Sequence, residues 1–331
     1  MRIILITLFI SITTGLRGQI FDAKFNQVYA YDSLPKKLLT TKSTVFIDMA
    51  TDNPKEWDRV TQAFHLEISK SGIDAVAYYN LKLVFSGEDV LQSYIEDFEN
   101  REISNLIFVK YAGENSAIFV TSLDKPFLTS NVNIAGWKRE GNFKEITRSL
   151  YVQSSNSGFE RSNFLLNTVP EKGPLTNPIK GKSSLFFSIN LKTNKLAVPK
   201  TGNLQRDFLL ENSLKEHYPF EFELVDNSIP EDELLKLGFN FILRYIEAPQ
   251  DELRNLLGYS SKEGVTHYMA VKRRGSESSM VPVSLTQDAT KFYIKDLRKG
   301  DAYLGTEWDI DTSWIDALIN HIYSFKEKTG S

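Results

Sequence analysis

Arg244 has the surroundings that point most directly to chemistry. It lies in the run FNFILRYIEA, residues 239–248, whose alternating pattern predicts a strand with Arg244 between Ile242 and Ile246 on one face. A guanidinium in such a place is partly desolvated and needs an anionic partner. We expect Arg244 either to form an internal salt bridge, which we favour, or to bind an anionic ligand in a cleft at the end of the sheet.

A second group of basic residues follows Arg244 in the chain. Lys272, Arg273 and Arg274 are consecutive, and Lys291 and Lys295 come shortly afterwards in strands predicted to be antiparallel. Together these side chains form a candidate ligand-binding surface for a glycan, a lipid headgroup or the acidic groups of a protein. The alternative is that they are solvated charges at the end of a hairpin.

The richest acidic stretch contains Glu307, Asp309 and Asp311, which alternate along the chain. In an extended segment these carboxylates share one face and offer Ca²⁺ the oxygen ligands that it prefers. An EF-hand loop starting at Asp309 fails, because Trp314 replaces the invariant glycine and Asn320 replaces the final glutamate. We therefore favour acids at the N-terminus of a C-terminal helix, with Asp311 or Thr312 as its cap.

The four histidines form no metal-binding motif. His65, His217, His267 and His321 include no pair at H-x-H or H-x-x-x-H spacing, which excludes a zinc site local in the sequence, although distant residues can still converge on one. We expect His217 and His321 to be partly buried and bonded to backbone groups. The chain has no cysteine, which excludes disulfides and thiolate chemistry. No cofactor is predicted.

Two motifs of nucleotide-binding proteins and hydrolases are incomplete. Gly181-Lys182-Ser183 is similar to the end of a phosphate-binding loop, but Thr176 replaces the first glycine of that motif and a strand is predicted to follow instead of a helix. The sequence contains no G-x-S-x-G, which excludes the nucleophile elbow of an α/β-hydrolase.

The elements that must position these residues form two modules. Strands and helices alternate with short connections in residues 40–125, which implies partly parallel strands because each helix carries the chain back across the sheet. This first βαβαβ module has predicted strands at 43–49, 74–80, 105–112 and 117–123, one helix from Pro54 and another over 86–101.

Residues 183–331 repeat this order and extend it. The fold class is therefore predicted to be mixed α/β, with two βαβαβ modules, partly parallel sheets, and antiparallel strands and a C-terminal helix added to the second module. The predicted elements are strands 184–190, 220–226 and 239–248 with helices 204–218 and 230–237, then helix 250–257, strands 266–273, 280–285, 291–297 and 301–304, and helix 312–326.

Two stretches lack a clear pattern. Residues 19–39 are interpreted as an N-terminal arm or a first edge strand. Clusters of Ser, Asn, Gly and Pro make residues 126–182 an irregular linker region between the modules, with weak strand candidates at 150–153 and 164–166.

Residues 1–18 have the features of a cleaved signal peptide. Arg2 precedes the apolar run 3–12, which is too short to cross a bilayer, and Gly15 and Gly18 predict cleavage before Gln19. An uncleaved N-terminal helix or a buried first strand is the alternative. We expect an exported protein, periplasmic or secreted, with no transmembrane segment after cleavage.

Composition and charge narrow the class of partner. With 331 residues and 41% hydrophobic content, the chain can build its cores without disulfides. Its formal charge of -3 becomes -5 when Arg2 and Arg17 are removed with the signal, so nucleic acid is not an expected partner.

Two functions of different class are compatible with these observations. The favoured one is a non-enzymatic periplasmic or secreted binding or assembly protein, whose partner is another protein or a component of the cell envelope. The alternative is a secreted hydrolase with a site assembled from scattered acidic residues, His267 and Arg244.

Overall fold

A computed structural model describes residues 19–29, 32–49, 53–164, 166–260, 264–274 and 277–329. The predicted signal peptide, residues 1–18, lies outside these ranges, so its cleavage stays a prediction. The chain divides into two compact units, one made of residues up to 85 together with 94–174, and the other of residues 86–93 together with 175–331.

The first unit contains a mixed sheet and the helices that cover it. Its elements are α1 (Gln19–Gln27), β1 (Lys42–Met49), α2 (Pro54–Lys70), β2 (Asp74–Asn80), α3 (Leu81–Val84), most of α4 (Glu88–Asn100), β3 (Ile103–Tyr111), β4 (Ser116–Ser122), α5 (Lys125–Thr129), β5 (Gly136–Gly141), α6 (Phe143–Asn156) and β6 (Glu171–Lys172). The six strands pair in the order β5-β4-β3-β1-β2-β6. Strands β1, β2, β3 and β6 are parallel, whereas β4 and β5 add antiparallel pairs.

Apolar side chains of β1 and α2 pack together in the core of this unit. Strand β1 is buried along almost its whole length, as expected for a strand covered on both faces. Helix α2 starts after Asn53, whose side chain accepts a backbone hydrogen bond, and it buries Val60, Phe64 and Ile68. Gly72 follows the helix with a φ of 80°, a conformation that favours glycine.

The first unit differs from the sequence prediction at two places. Residues 19–39 begin with helix α1, not with an arm or a strand, and Phe21 and Phe25 of this helix contact Phe119 of β4. Residues 126–182 are not irregular throughout, because they include β5 and α6. The strand predicted at 150–153 lies inside α6, which buries Ile146 and Leu150 at helical spacing.

The second unit contains a second six-stranded sheet and a separate two-stranded hairpin. Its elements are β7 (Ser183–Ser184), β8 (Leu196–Pro199), α7 (Leu204–His217), β9 (Phe222–Val225), α8 (Glu231–Lys236), β10 (Phe241–Pro249), α9 (Gln250–Leu256), β11 (His267–Arg274), β12 (Glu277–Ser284), β13 (Asp288–Asp296), β14 (Ala302–Tyr303) and α10 (Trp314–Thr329). The large sheet has the order β7-β14-β13-β10-β8-β9, and β11 and β12 form the hairpin.

Parallel and antiparallel pairing are mixed in this sheet. Strand β8 pairs parallel with β9 and β10, and β7 pairs parallel with β14, whereas β13 is antiparallel to β10 and β14. On one face, Leu210 of α7 and Leu318 of α10 pack in the same core as Leu243 of β10. On the other face, Leu234 of α8 packs with Ile242 of β10.

The predicted fold class is confirmed: both modules are mixed α/β, with partly parallel sheets, antiparallel strands in the second module and a C-terminal helix. One strand in the second module was misplaced. Residues 184–190 do not form the predicted strand, because Ser184 Oγ makes hydrogen bonds with both the amide and the carbonyl of Phe186 and turns the chain. Strand β8 takes that place in the βαβαβ order.

Among the described residues, we find no helix with the length and apolar character required to cross a membrane.

Candidate functional site

Arg244 belongs to an ionic cluster that also contains Lys295, Asp89, Glu231 and Tyr293, here named the Arg244 cluster. Arg244 Nη2 donates to Glu231 Oε1 at 2.7 Å, and its Nε lies 3.7 Å from Asp89 Oδ1. Lys295 Nζ lies 2.7 Å from Asp89 Oδ1 and 2.9 Å from Glu231 Oε1. Tyr293 donates its hydroxyl hydrogen to Asp89 Oδ2 at 2.6 Å. Two cations therefore share two carboxylates.

The register of two antiparallel strands brings the cations together. Arg244 of β10 is paired with Tyr293 of β13, and Ile242 is paired with Lys295. Directly opposite residues of an antiparallel pair point to the same face, so all four side chains lie on one side of the sheet. That side is the one on which α8, which carries Glu231, packs.

Gly87 allows the segment that carries Asp89 to approach β10. The Ser86 carbonyl accepts a hydrogen bond from the Glu247 amide at 2.8 Å. A Cβ atom at Gly87 would lie 2.5 Å from the carbonyl oxygen of Tyr245, which is too close for any side chain. The glycine is therefore needed to place Asp89 beside Arg244.

The structure shows the internal salt bridge that we favoured for Arg244. The Arg244 side chain is 12% exposed and the Asp89 side chain is 5% exposed, so the charges are largely desolvated. Each charge of the cluster lies beside an opposite charge, as an internal salt bridge requires. Binding of an external anion by Arg244 stays a prediction.

The basic residues of the hairpin pair with acids instead of forming one patch. Lys272 Nζ lies 2.9 Å from Asp311 Oδ2, and Arg273 makes two hydrogen bonds with the carboxylate of Glu307, at 2.9 and 2.5 Å. The other two lysines of the predicted patch lie elsewhere: Lys295 is in the Arg244 cluster, and Lys291 is fully buried. Arg274 ends β11, and its side chain lies outside the described part of the chain.

The acidic stretch does not converge on a calcium site. Glu307 pairs with Arg273, Asp311 pairs with Lys272, and Asp309 pairs with Lys291, so each carboxylate has its own cation. Within the described ranges, no three acidic or histidine side chains come together as a metal site. The expected cap was also wrong in detail.

Ser313, and neither Asp311 nor Thr312, caps helix α10. Ser313 Oγ accepts a hydrogen bond from the Asp316 amide at 3.4 Å. Asp311 instead accepts from the Ser313 amide at 3.0 Å, which fixes the turn before the helix.

His321 is more deeply buried than expected and binds side chains, not a backbone group. Its Nδ1 lies 3.1 Å from Asp309 Oδ2 and 3.4 Å from Lys291 Nζ. Lys291 Nζ lies 2.5 Å from both Asp309 Oδ1 and the Leu304 carbonyl oxygen. We name Lys291, Asp309 and His321 the buried triad. No spacing or motif in the sequence indicated that these three residues would meet.

The other histidines are placed apart from the triad. His217 is half-buried and its Nδ1 lies 3.3 Å from the Tyr323 hydroxyl. His65, in the first unit, is bonded to the Tyr78 hydroxyl and to the Asn167 carbonyl. His267 is exposed at the start of β11, with Thr266 Oγ1 at 3.2 Å. No hydrogen bond or ion pair among the described residues joins His267 to Arg244.

Gly181-Lys182-Ser183 enters a strand, as the sequence predicted. The Lys182 amide donates to Asp301 Oδ1 at 2.7 Å, and Ser183 begins β7, which pairs with β14. A Cβ at Gly181 would lie 2.5 Å from the Asp301 amide nitrogen. The glycine therefore serves this close pairing with the turn before β14.

Helix α7 carries an apolar surface on its exposed side. Leu204 is 90% exposed, Phe208 is 64% exposed and Leu209 is 40% exposed. Leu204 and Phe208 are four residues apart and so are neighbours on the helix surface. We name these three residues the α7 apolar surface. The exposed side of the last two turns is polar, with Lys215 and Glu211 forming an ion pair at 2.6 Å.

The turn that presents this surface is held by hydrogen bonds at the start of α7. Asn203 Oδ1 accepts from the amides of Gln205 and Arg206, at 3.0 and 3.1 Å. Asp207 Oδ1 accepts from both the amide and the hydroxyl of Thr201, at 2.6 and 2.7 Å. Apolar residues that are ordered before binding lose less entropy when a partner covers them.

Sequence reasoning did not identify the α7 apolar surface, although a signal was present. The helix was predicted at 204–218, and Leu204, Phe208 and Leu209 stand beside the buried pair Leu210 and Leu214. Apolar residues therefore cover more of the first two turns than one buried face requires.

The comparisons with known proteins add no family to these observations: no protein-family model matches the sequence, and the search of curated proteins gives no match.

Proposed function

We propose that this chain is an exported, non-enzymatic binding protein that binds another protein through the α7 apolar surface. The observation that carries the proposal is the exposure of Leu204 and Phe208, side by side on one helix. Exposed apolar side chains that are contiguous and rigidly held are typical of protein–protein contact sites. Aromatic residues such as Phe208 contribute strongly at such contacts.

The buried side of α7 holds this helix in its own unit, which supports a binding role for the exposed side. Leu210 and Leu214 are buried in the core of the second unit, and Arg206 lies over the ring of Trp314, 5.5 Å from its centroid. These contacts anchor α7 to its own unit. Leu204 and Phe208 are therefore left available to a partner without unfolding of the helix.

Among the described residues, no contact favours the alternative of a hydrolase site. Arg244 shares its carboxylate partners with Lys295, and Asp309 and Asp311 each pair with a lysine. We therefore argue for the binding protein alone.

Site-specific photo-crosslinking in the native cell tests the proposal. A photoreactive phenylalanine analogue at position 208 is expected to capture one defined protein, which mass spectrometry identifies. The matched control carries the analogue at Leu237, which is 61% exposed at the end of α8 in the same unit. Equal capture of the same proteins from both positions, or no adduct from position 208, would refute the proposed surface.

Export rests on the pattern of residues 1–18 and has its own test. N-terminal sequencing of the protein from its native compartment is expected to start at Gln19 or within about three residues of it. Recovery of an intact Met1 would overturn the exported location, while leaving the binding surface to be judged by crosslinking.

A further inference from the structure

The buried triad is a cluster of three ionisable side chains inside the second unit. Lys291 and Asp309 are 0% exposed and His321 is 2% exposed. They come from β13, from the segment after β14 and from α10, so the cluster joins three parts of the unit. Isolated charges at such depth are costly, and their mutual pairing is what makes them tolerable.

The geometry leaves no favourable place for a second proton on His321. If the neutral ring carries its proton on Nδ1, that proton is donated to Asp309, and the next proton must go to Nε2, which is buried and has no hydrogen-bond partner among the described residues. If the proton is on Nε2 instead, the next one goes to Nδ1, where Asp309 can accept it but the ammonium of Lys291 lies 3.4 Å away. The product is the same imidazolium, whose Nε2–H is buried and has no partner among the described residues. Protonation is unfavourable in both tautomers.

The surroundings of the ring are apolar. His321 lines a small cavity together with Leu196, Ile294 and Phe325, and the ring of Phe187 lies 5.6 Å from the imidazole. Such an environment disfavours an imidazolium ion. Among the described residues it also supplies no carboxylate besides Asp309, which already pairs with Lys291.

We propose that the buried triad is an acid-sensitive lock that holds α10 to β13, and that protonation of His321 in mild acid opens it. In the described part of the chain one carboxylate, Asp309, serves the triad, so an imidazolium would face Lys291 with a single anion between two cations. Opening of the lock removes that repulsion by letting water reach the ring.

The pKa values of the groups that face one another agree with this direction. Burial, and then the charge of Lys291, hold the pKa of His321 below its usual value, against the attraction of Asp309. Burial opposes ionisation of Asp309, but Lys291 and His321 outweigh it and keep the pKa of Asp309 low, so this acid stays charged. Burial and Asp309 raise the pKa of nearby Tyr259 to about 12, so Tyr259 stays neutral.

The lowered pKa of His321 predicts that acid favours the open state. In an opened or unfolded chain a histidine has a pKa near 6.5, which is above that of His321 in the closed unit. Below that pH the open state binds more protons than the closed state, so the free energy of opening falls as the pH falls. One proton changes the opening equilibrium by up to about tenfold per pH unit.

Hydrogen exchange measured by mass spectrometry at pH 7.5 and 5.5, corrected for the intrinsic pH dependence of exchange, tests the lock. Peptides from α10 and β13 are expected to lose protection by up to about tenfold at pH 5.5 in the parent protein. His321→Asn keeps an amide near the position of Nδ1 but cannot be protonated, and its α10 and β13 peptides should show no such loss. His65→Gln is the control, because His65 lies in the first unit, and this variant should keep the parent's behaviour in α10.

Equal protection at both pH values in the parent, or equal loss in the parent and in His321→Asn, would overturn the lock. If His321→Asn does not fold, a histidine NMR titration of the parent decides the question. We expect the His321 ring of the closed unit to titrate with a midpoint below 6.5, because the closed unit disfavours the imidazolium. A His321 titration midpoint at or above 6.5 would overturn the proposal.

Discussion

Arg244 and Lys295, on neighbouring antiparallel strands, bind the same carboxylate oxygen of Glu231, at 2.7 and 2.9 Å. Asp89 is the second shared anion, because it lies within 3.7 Å of Arg244 and 2.7 Å of Lys295. Neither cation has a carboxylate to itself. Removal of one cation therefore leaves both acids with a partner, whereas removal of both leaves Asp89 with Tyr293 alone among the residues of the cluster.

This sharing predicts that Arg244→Met is moderately destabilising. We expect the free energy of unfolding to fall by about 2 kcal/mol, less than the loss of about 3–5 kcal/mol for an isolated buried ion pair, because both acids still have Lys295 as a partner. Urea unfolding of the parent and the variant measures the difference. The same experiment on Lys295→Met and on the double variant should give a loss larger than the sum of the single losses.

An unchanged free energy of unfolding in Arg244→Met would contradict the structural role of the cluster. Additive losses in the double variant would contradict the sharing of acids.

Gly87 gives a second test of the same cluster. An added methyl group at this position would lie 2.5 Å from the Tyr245 carbonyl oxygen, so the segment that carries Asp89 must move away from β10. We expect Gly87→Ala to destabilise the second unit by about 1–3 kcal/mol. Thermal unfolding followed by circular dichroism measures this loss. A melting temperature equal to that of the parent would show that the close contact of Gly87 with β10 does not hold Asp89 in place.

Local patterns predicted most of the elements. Strand β2 was predicted at 74–80, where the structure has it, because DAVAYYN is a short and mostly apolar run after Gly72. Helix α7 was predicted within one residue because its leucines recur at helical spacing. Helix α1 was missed although Phe21, Phe25 and Val28 also have that spacing, since nine residues give too short a pattern to distinguish from an arm.

Partners across the chain could not be predicted. The sequence identified Arg244 as a charge in need of an anion, but its partner Asp89 is 155 residues away and was placed only within the helix predicted at 86–101. Asp309 and His321 are 12 residues apart, yet their contact depends on the turn capped by Ser313 and on burial by α10. Long-range pairing of this kind depends on the packed fold and not on spacing.

The buried Lys24 of helix α1 should make the free energy of unfolding of the first unit depend on pH. Its ammonium group is buried and donates hydrogen bonds to the carbonyls of Phe127 and Ser130, at the end of α5. Burial lowers the pKa of Lys24 to about 8, whereas an exposed lysine has a pKa near 10.4. Between these values the unfolded chain binds more protons, so the free energy of unfolding should rise as the pH rises above 8.

Urea unfolding of the first unit at pH 7.5 and 9.5 measures this rise, which we expect to be up to about 2 kcal/mol in the parent. Lys24→Met should remove it. Unfolded tyrosines, with a pKa of about 10, begin to ionise at the upper pH, and because this contribution is the same in Lys24→Met, the difference between parent and variant isolates Lys24. A parent stability that is flat or falls over this interval, or a rise that persists in Lys24→Met, would show that Lys24 does not carry a desolvated charge.

We propose that the α7 apolar surface binds a protein partner. A binding titration with the partner captured at position 208 measures the Kd of that contact. We compare the parent with Leu204→Ser/Phe208→Ser, using Leu237→Ser as the matched control and thermal melts to show that all three are folded. The double variant loses two apolar side chains that the partner would bury, so we expect its Kd to rise at least about tenfold while its melting temperature stays that of the parent. If the folded double variant has the same Kd as the parent and the control, the partner does not bind through the α7 apolar surface.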